Sequence, residues 1–237
     1  MNGKSLRETL SVAAAWEGMP LNYTMIGKQL NISAVAAKAR VQQLAETRVL
    51  RLLYPLEVGA AGKSRKSPKL YLNSSAASLL PATTTRGGLR GGLRDRSAAA
   101  RQILFRRRMI RKVCDLEAAR NRSSTFWYYG GYGKTHVELI AQTALKRIGF
   151  VFLEENRFNR WCWSYCKRVF MRGIIQGAFV LYPGHRIFFA ADRLVILPAE
   201  EFCRHYRRWM NACLGSSRKL LLRMVRSYNA SHAEHLS

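Results

Sequence analysis

From Pro81 to Ser97 the chain offers nothing from which a core could be built. Thr83-Thr84-Thr85 leads into a tandem Arg-Gly-Gly-Leu, Arg86–Leu89 and Arg90–Leu93, which closes at Arg94. Paired glycines carry a large backbone entropy that few side chains here could offset on folding. The stretch therefore reads as a cationic tether, and the chain divides around it. Residues 1–80 form one folding segment and 98–202 another, with 203–237 as a basic helical tail.

The first segment reads as three short helices and a hairpin. Ser5 is placed as the cap of a helix running through Trp16, which Gly18-Met19-Pro20 breaks. Leu21 to Leu30 is a second helix, and Asn31-Ile32-Ser33 is a turn whose Ser33 caps a third. Within Ala34 to Thr47 the residues Ala37, Val41 and Leu44 recur at spacings of four and three, which marks one buried face. Val49 to Tyr54 and Lys69 to Leu72 read as strands joined by a Gly/Lys/Ser loop. Three helices closed by a β-ribbon is the winged-helix pattern, in which the third helix enters a major groove. On that reading Lys38, Arg40 and Gln42 face outward, and Lys63, Arg65, Lys66 and Lys69 load the wing. Long cationic donors of this kind suit phosphate contact, and the Ala-rich helix has few groups able to read bases.

Beyond the tether, Ser97 to Arg120 is a basic helix carrying Arg106-Arg107-Arg108 and Arg111-Lys112. Strands are expected at Thr125–Tyr129, Val137–Ala141, Gly149–Leu153, Gly177–Leu181 and Leu194–Leu197, with a helix from Asn159 to Arg172 between the third and fourth. That order implies an α+β chain with a mixed sheet in its second domain. From Glu201 to Tyr228 basic and apolar residues interleave, and Gly215-Ser216-Ser217 splits them into two amphipathic helices. Such helices dock on their own core, on a partner, on nucleic acid or on an anionic membrane surface.

Charge narrows the class of partner. Lys and Arg number 40 against 14 Asp and Glu, a formal charge of +26, and the density is highest between Arg86 and Arg120. A surface of that sign attracts polyanions, with an affinity that falls steeply as salt rises. A basic subunit of a larger assembly is the alternative. The most apolar stretch, Ile174 to Pro198, is broken by His185, Arg186, Asp192 and Arg193, too many charges for an integral membrane segment. Five irregularly spaced cysteines (Cys114, Cys162, Cys166, Cys203, Cys213) and the lack of an apolar leader point to reduced thiols in the cytoplasm.

Several stretches, taken in order, resemble one family. They are Gly18-Met19-Pro20-Leu21-Asn22, the helix-turn-helix of Ile26 to Ile32 and Leu50-Arg51-Leu52-Leu53-Tyr54-Pro55. They continue with Arg65-Lys66-Ser67-Pro68-Lys69-Leu70-Tyr71-Leu72-Asn73, Phe126-Trp127-Tyr128-Tyr129 before His136-Val137-Glu138, and Leu197-Pro198-Ala199-Glu200-Glu201-Phe202. Together they are similar to the C-terminal half of a group of prokaryotic AAA-type ATPases. In that group a winged helix precedes a restriction-endonuclease-like domain. The resemblance runs from about residue 5 to 202. It implies DNA binding, a nuclease-like α/β fold and a separately encoded ATPase chain as a possible partner.

The chemistry that the resemblance implies is incomplete here. Nucleases of this class hold Mg²⁺ between an acidic residue on one strand and a Glu-x-Lys on the next, where the Lys helps activate water. His136 stands where the family has its Glu, Glu138 where it has its Asp, and the Glu and Lys positions fall on Phe150 and Phe152. The early helical Glu is missing as well, because Arg101 to Arg111 contains no acid. The candidate metal ligands left are Glu138, Glu154 and Glu155. No catalytic residue, no cofactor and no enzymatic activity are expected.

Two further motifs carry less. Gly130-Gly131-Tyr132-Gly133-Lys134-Thr135 lacks the distal Gly of a phosphate-binding loop, since Tyr128 holds that place, so a hairpin turn is expected. Cys162 and Cys166, one helical turn apart, could join Cys203 and His205 around zinc. The neighbouring Trp161, Trp163, Tyr165 and Phe170 fit a packed helix with buried thiols instead.

Overall fold

The computed structural model describes residues 3–57, 67–73, 98–121, 123–131, 134–143, 146–153, 160–191, 193–215 and 218–231. The chain is of mixed α/β type and forms two compact units. One comprises Met1–Pro55 with Arg65–Ile103, the other Leu56–Ser64 with Leu104–Ser237. The tether of residues 81–97 lies outside the described residues.

The first unit contains helices α1 (Gly3–Ala14), α2 (Tyr23–Leu30) and α3 (Ala34–Glu46), and strands β1 (Leu50–Pro55) and β2 (Lys69–Leu72). Ser5 is not a cap. It lies inside α1, where its carbonyl accepts from the Thr9 hydroxyl at 2.8 Å. Helical backbone already runs from Gly3, so Ser5 is past the position from which a cap acts. Ser33 caps α3 as its position requires, accepting from the Ala36 amide at 3.1 Å, and Asn22 caps α2 from Met25. Between the helices Asn31 takes the left-handed conformation (φ 52°), the closing geometry that Asn tolerates. At Gly27 a Cβ would lie 2.7 Å from the Ile32 carbonyl, so only glycine lets α2 approach the turn this closely.

The core of this unit joins Leu10 and Ala13 of α1, Ile26 of α2, and Ala37, Val41 and Leu44 of α3 to Leu50, Leu70 and Leu72 of the ribbon. β1 and β2 are antiparallel, with Leu50 opposite Leu72 and Leu52 opposite Leu70. The break at Gly18-Met19-Pro20 also supplies the second edge of β2. Glu17 and Pro20 bridge to Leu70 and Lys69, the Gly18 amide donates to the Leu70 carbonyl at 2.8 Å, and buried Glu17 accepts from the Leu72 amide.

The second unit contains α4 (Ala98–Arg120, from Leu104 onward), β3 (Thr125–Gly131), β4 (Lys134–Thr143), β5 (Lys146–Phe152), α5 (Arg160–Met171), β6 (Gly177–Tyr182), β7 (Phe188–Ala191), β8 (Leu194–Pro198), α6 (Ala199–Arg204), α7 (Tyr206–Leu214) and α8 (Arg218–Ser231). Its strands lie in the order β3-β4-β5-β6-β8-β7. The β3-β4-β5 meander is antiparallel, β5-β6-β8 are parallel, and β7 closes antiparallel on β8. Parallel neighbours need a crossover, and α5 provides it between β5 and β6. One face of the sheet packs Val151, Val180 and Ile196 with Cys166 and Val169 of α5. On the other, Phe150 and Phe179 meet Phe202 of α6, with ring centroids 5.8 and 4.9 Å away.

Strand β7 was not expected, and the helical stretch after Pro198 is three helices rather than two. Residues 203–231, set apart by sequence as a tail, bury Tyr206, Trp209, Met210, Cys213 and Leu221 within the second unit. Their basic residues are the outer face of helices whose inner face is core. Among the described residues no helix is long and apolar enough to cross a membrane.

Candidate nucleic-acid interface

Helix α3 has two cleanly separated faces. Ala37, Val41 and Leu44 are buried, while Val35, Lys38, Ala39, Gln42 and Glu46 are exposed. At 100° per residue those five positions fall on one side of the helix. Val35, at the first turn, is 79% exposed. Sequence pattern finds Lys38 and Gln42 but passes over Val35, since an exposed valine carries no periodic signal. Arg40 lies between the faces and is half-buried. The exposed face is partly ordered from below: the Tyr54 hydroxyl of β1 donates to Gln42 Oε1 at 3.4 Å. Tyr23 of α2 lies near the same ring. Its phenol is pushed up to about 12, first by burial and second by Tyr54.

The ribbon contributes less than the sequence suggests. Lys69 stands in β2 opposite Leu53 and is 8% exposed, so its side chain is enclosed and does not load a free wing. The period-2 rule places it on a ribbon face, and Pro20 bridges to its backbone along the outer edge of β2. Lys63, Arg65, Lys66, Arg86, Arg90 and Arg94 lie outside the described residues, as do Glu154 and Glu155.

In the second unit Phe150 and Phe152 are fully buried, and Phe150 stacks on Phe179 at 5.9 Å. Neither could be exchanged for a ligand without opening the aromatic cluster. Glu138 is the remaining carboxylate. Its side chain is 10% exposed, and Arg106 of α4 faces it with Nε 3.3 Å from Oε1. A register shift brings Glu138 there. Trp127 pairs with Ile140 and Tyr129 with Val137, so the single residue Tyr128 of β3 opposes both Glu138 and Leu139 of β4. That is a β-bulge, a device that re-aims side chains. It also puts Val137 and Ile140, three apart in sequence, into the same core cluster.

A second polar centre was missed. Glu117 of α4 is 0% exposed and accepts from a closed set of donors. Oε1 receives Ser124 at 2.7 Å, Thr143 at 2.8 Å and Arg120 Nη2 at 2.8 Å; Oε2 receives Arg120 Nε at 2.8 Å and the Tyr206 hydroxyl at 2.5 Å. Burial alone would raise this carboxyl, but the hydrogen bonds, led by Arg120 and then Tyr206, outweigh it and hold it below its ordinary value. The Tyr206 phenol is driven far up, first by burial and then by the same carboxylate. A helical Glu therefore exists, fewer than two turns beyond the stretch Arg101–Arg111, with its oxygens engaged by protein donors.

The exposed faces of α4 and its neighbours are basic. Arg108 and Lys112 are exposed, Arg107 and Arg111 half-buried, and Arg207 and Arg208 of α7 exposed. The Cys203 thiol of α6 lies within the field of Lys112 and Arg108; burial raises it and those cations oppose the rise. Cys166 and Cys213 are buried thiols, each pushed up to about 12 chiefly by burial. The Cys162 side chain lies outside those described, and among the described residues no group of three or more His, Cys, Asp or Glu is placed to hold a metal ion. Gly130 pairs with Thr135 and Gly131 with Lys134 as antiparallel strand partners, so Lys134 and Thr135 open a strand and not the helix that a phosphate-binding loop requires.

No protein-family model, no curated protein and no solved structure matches this chain.

Proposed function

We propose that this chain is a non-catalytic nucleic-acid-binding protein whose first unit is a winged helix that presents α3 to a major groove. The observation that carries this reading is the bare face of α3. Val35, Lys38 and Gln42 stand exposed over two turns, opposite a face wholly committed to core. An apolar group, a cation and an amide are the groups that contact a thymine methyl, a phosphate and an adenine edge. The capped turn before α3 and the β1–β2 ribbon behind it fit the helix-turn-helix arrangement. The total charge of +26 supplies the sequence-independent attraction.

The second unit, on this reading, is a degenerate nuclease-like domain. The antiparallel meander followed by parallel strands is in keeping with that class, and by the resemblance Phe150, Phe152 and Glu138 stand at the positions where ligands would act, with Arg106 beside Glu138. The likeness to the C-terminal half of AAA-type ATPases leaves two alternatives, an interaction subunit for a separate ATPase chain and, less favoured, a metal-dependent nuclease.

Fluorescence anisotropy with duplex and single-stranded DNA and RNA, across salt and with or without Mg²⁺, tests the proposal. Duplex affinity should fall steeply with salt, and Lys38→Ala should reduce the slope of log K against log salt by about one. Affinity indifferent to salt sinks the reading. Mg²⁺-dependent cleavage lost in Glu138→Ala would restore a nuclease.

A further inference from the structure

The buried stripe of α4 runs Arg106, Ile110, Val113, Glu117, at spacings of four, three and four. Ile110 and Val113 are core, and Glu117 is fully buried within its donor set. Arg106 begins the stripe but differs from the rest: its side chain is 37% exposed although its Nε is buried. The guanidinium therefore has two ends in different media. The Nε edge faces the Glu138 carboxylate, and the exposed area belongs to the remainder of the side chain. Arg107 and Arg111, one turn apart, follow on the adjoining flank of α4, both half-buried. No acid occurs in α4 before Asp115.

Glu138 costs desolvation energy where it sits, and the β-bulge turns it toward α4 instead of leaving it to alternate along β4. A carboxylate so placed holds one side of the guanidinium by charge, with Nε 3.3 Å away and outside hydrogen-bond geometry, and leaves the terminal nitrogens to another partner. We propose that Arg106, oriented by Glu138, is a phosphodiester-binding group of the second unit, a fixed protein cation at a carboxylate that could otherwise have drawn a metal ion. This rests on the nucleic-acid reading above and adds a contact site remote in sequence from α3. Glu138 is a positioning residue; Arg106 is the one that touches the backbone phosphate.

Loss of either partner then weakens binding, but only loss of Arg106 lowers the salt slope, a split that a purely structural ion pair would not produce. The full-length chain is titrated against a 30-base-pair duplex DNA (a length of about three helical turns) with EDTA present, across a salt series. Arg106→Ala should weaken binding by about tenfold and lower the salt slope by about 0.9. Arg106→Lys retains the charge and the ion pair and should keep the slope. Glu138→Gln keeps the shape but loses the charge that orients Arg106, and should weaken binding while leaving the salt slope near the parent's. Thermal unfolding of each variant separates affinity from folding. If Arg106→Ala and Glu138→Gln bind as the parent does, or both weaken in proportion to lost stability, the assignment is overturned. If the parent chain itself fails to bind any duplex, the fault lies with the proposed function. A requirement for Mg²⁺ in place of EDTA also overturns it, because the cation would then not be Arg106.

Discussion

Glu117 shows how a single side chain can hold several elements. Its oxygens collect donors from α4 itself, from Ser124 before β3, from Thr143 at the end of β4 and from Tyr206 at the start of α7. Removing the charge leaves those donors buried without an acceptor of equal strength, so Glu117→Gln should cost about 3 kcal/mol in denaturant unfolding at pH 7. Its pKa in the folded state is depressed, so the unfolded chain binds this proton more readily. The stabilisation is therefore complete above the ordinary carboxylate value of 4.5 and is lost as pH falls below it. The gap between parent and Glu117→Gln should shrink in acid; a gap constant from pH 7 to pH 3 would rule out the ionised carboxylate as its source. This centre is hard to read in sequence because the resemblance points to a helical acid between Arg101 and Arg111, a stretch that contains none. The stripe spacing from Ile110 and Val113 to Glu117 was a usable signal, since an acid on a core face must find partners.

Among elements, the legible ones were those that carry their own chemistry. Ser33 marks the start of α3 through a side-chain cap, and Ala37, Val41 and Leu44 mark its buried face. Strand β7 has neither advantage: Phe188–Ala191 is four residues long and takes its conformation from its pairing to β8. The Glu17–Pro20 segment is likewise ordered by β2 and not by its own pattern. Longer-range geometry explains how α4 finds its place. Arg106 meets Glu138 midway along β4 and Glu117 meets Thr143 at its end, so one polar contact at each place ties helix to strand. At the far end of the chain, α8 is held in a different way. The Asn229 side chain accepts from the Ile187 amide at 3.0 Å and donates to the Ile187 carbonyl at 2.8 Å, as a strand neighbour would. Asn229→Ala leaves both backbone groups unmatched, at a cost of about 1–3 kcal/mol. Hydrogen exchange should then accelerate along Arg218–Ser231 while β6 and β8 keep their protection. Equal acceleration in those strands would mean that the amide supports the whole unit and not α8 alone.

At the scale of the whole molecule, a charge of +26 acts with opposite sign on two equilibria. In the free protein the basic side chains repel one another, and the compact state bears more of that repulsion than the expanded chain, so added salt should raise the melting temperature through screening. With duplex present the sign reverses. Phosphates neutralise the same side chains in the folded state, and binding stabilises it by an amount that grows with ligand concentration over Kd. Salt raises Kd, so the stabilisation by duplex should be large at low salt and fade as salt rises. Melting curves over a salt series should rise without DNA, fall with it, and converge where binding is lost. A basic protein that only tolerates its charge would give superimposed rising curves with and without duplex. The point of convergence also tests the two contact surfaces together. If α3 and Arg106 both engage phosphate, substituting Lys38 and Arg106 together should move convergence to lower salt than either change alone, while the rising curve without DNA keeps its sign.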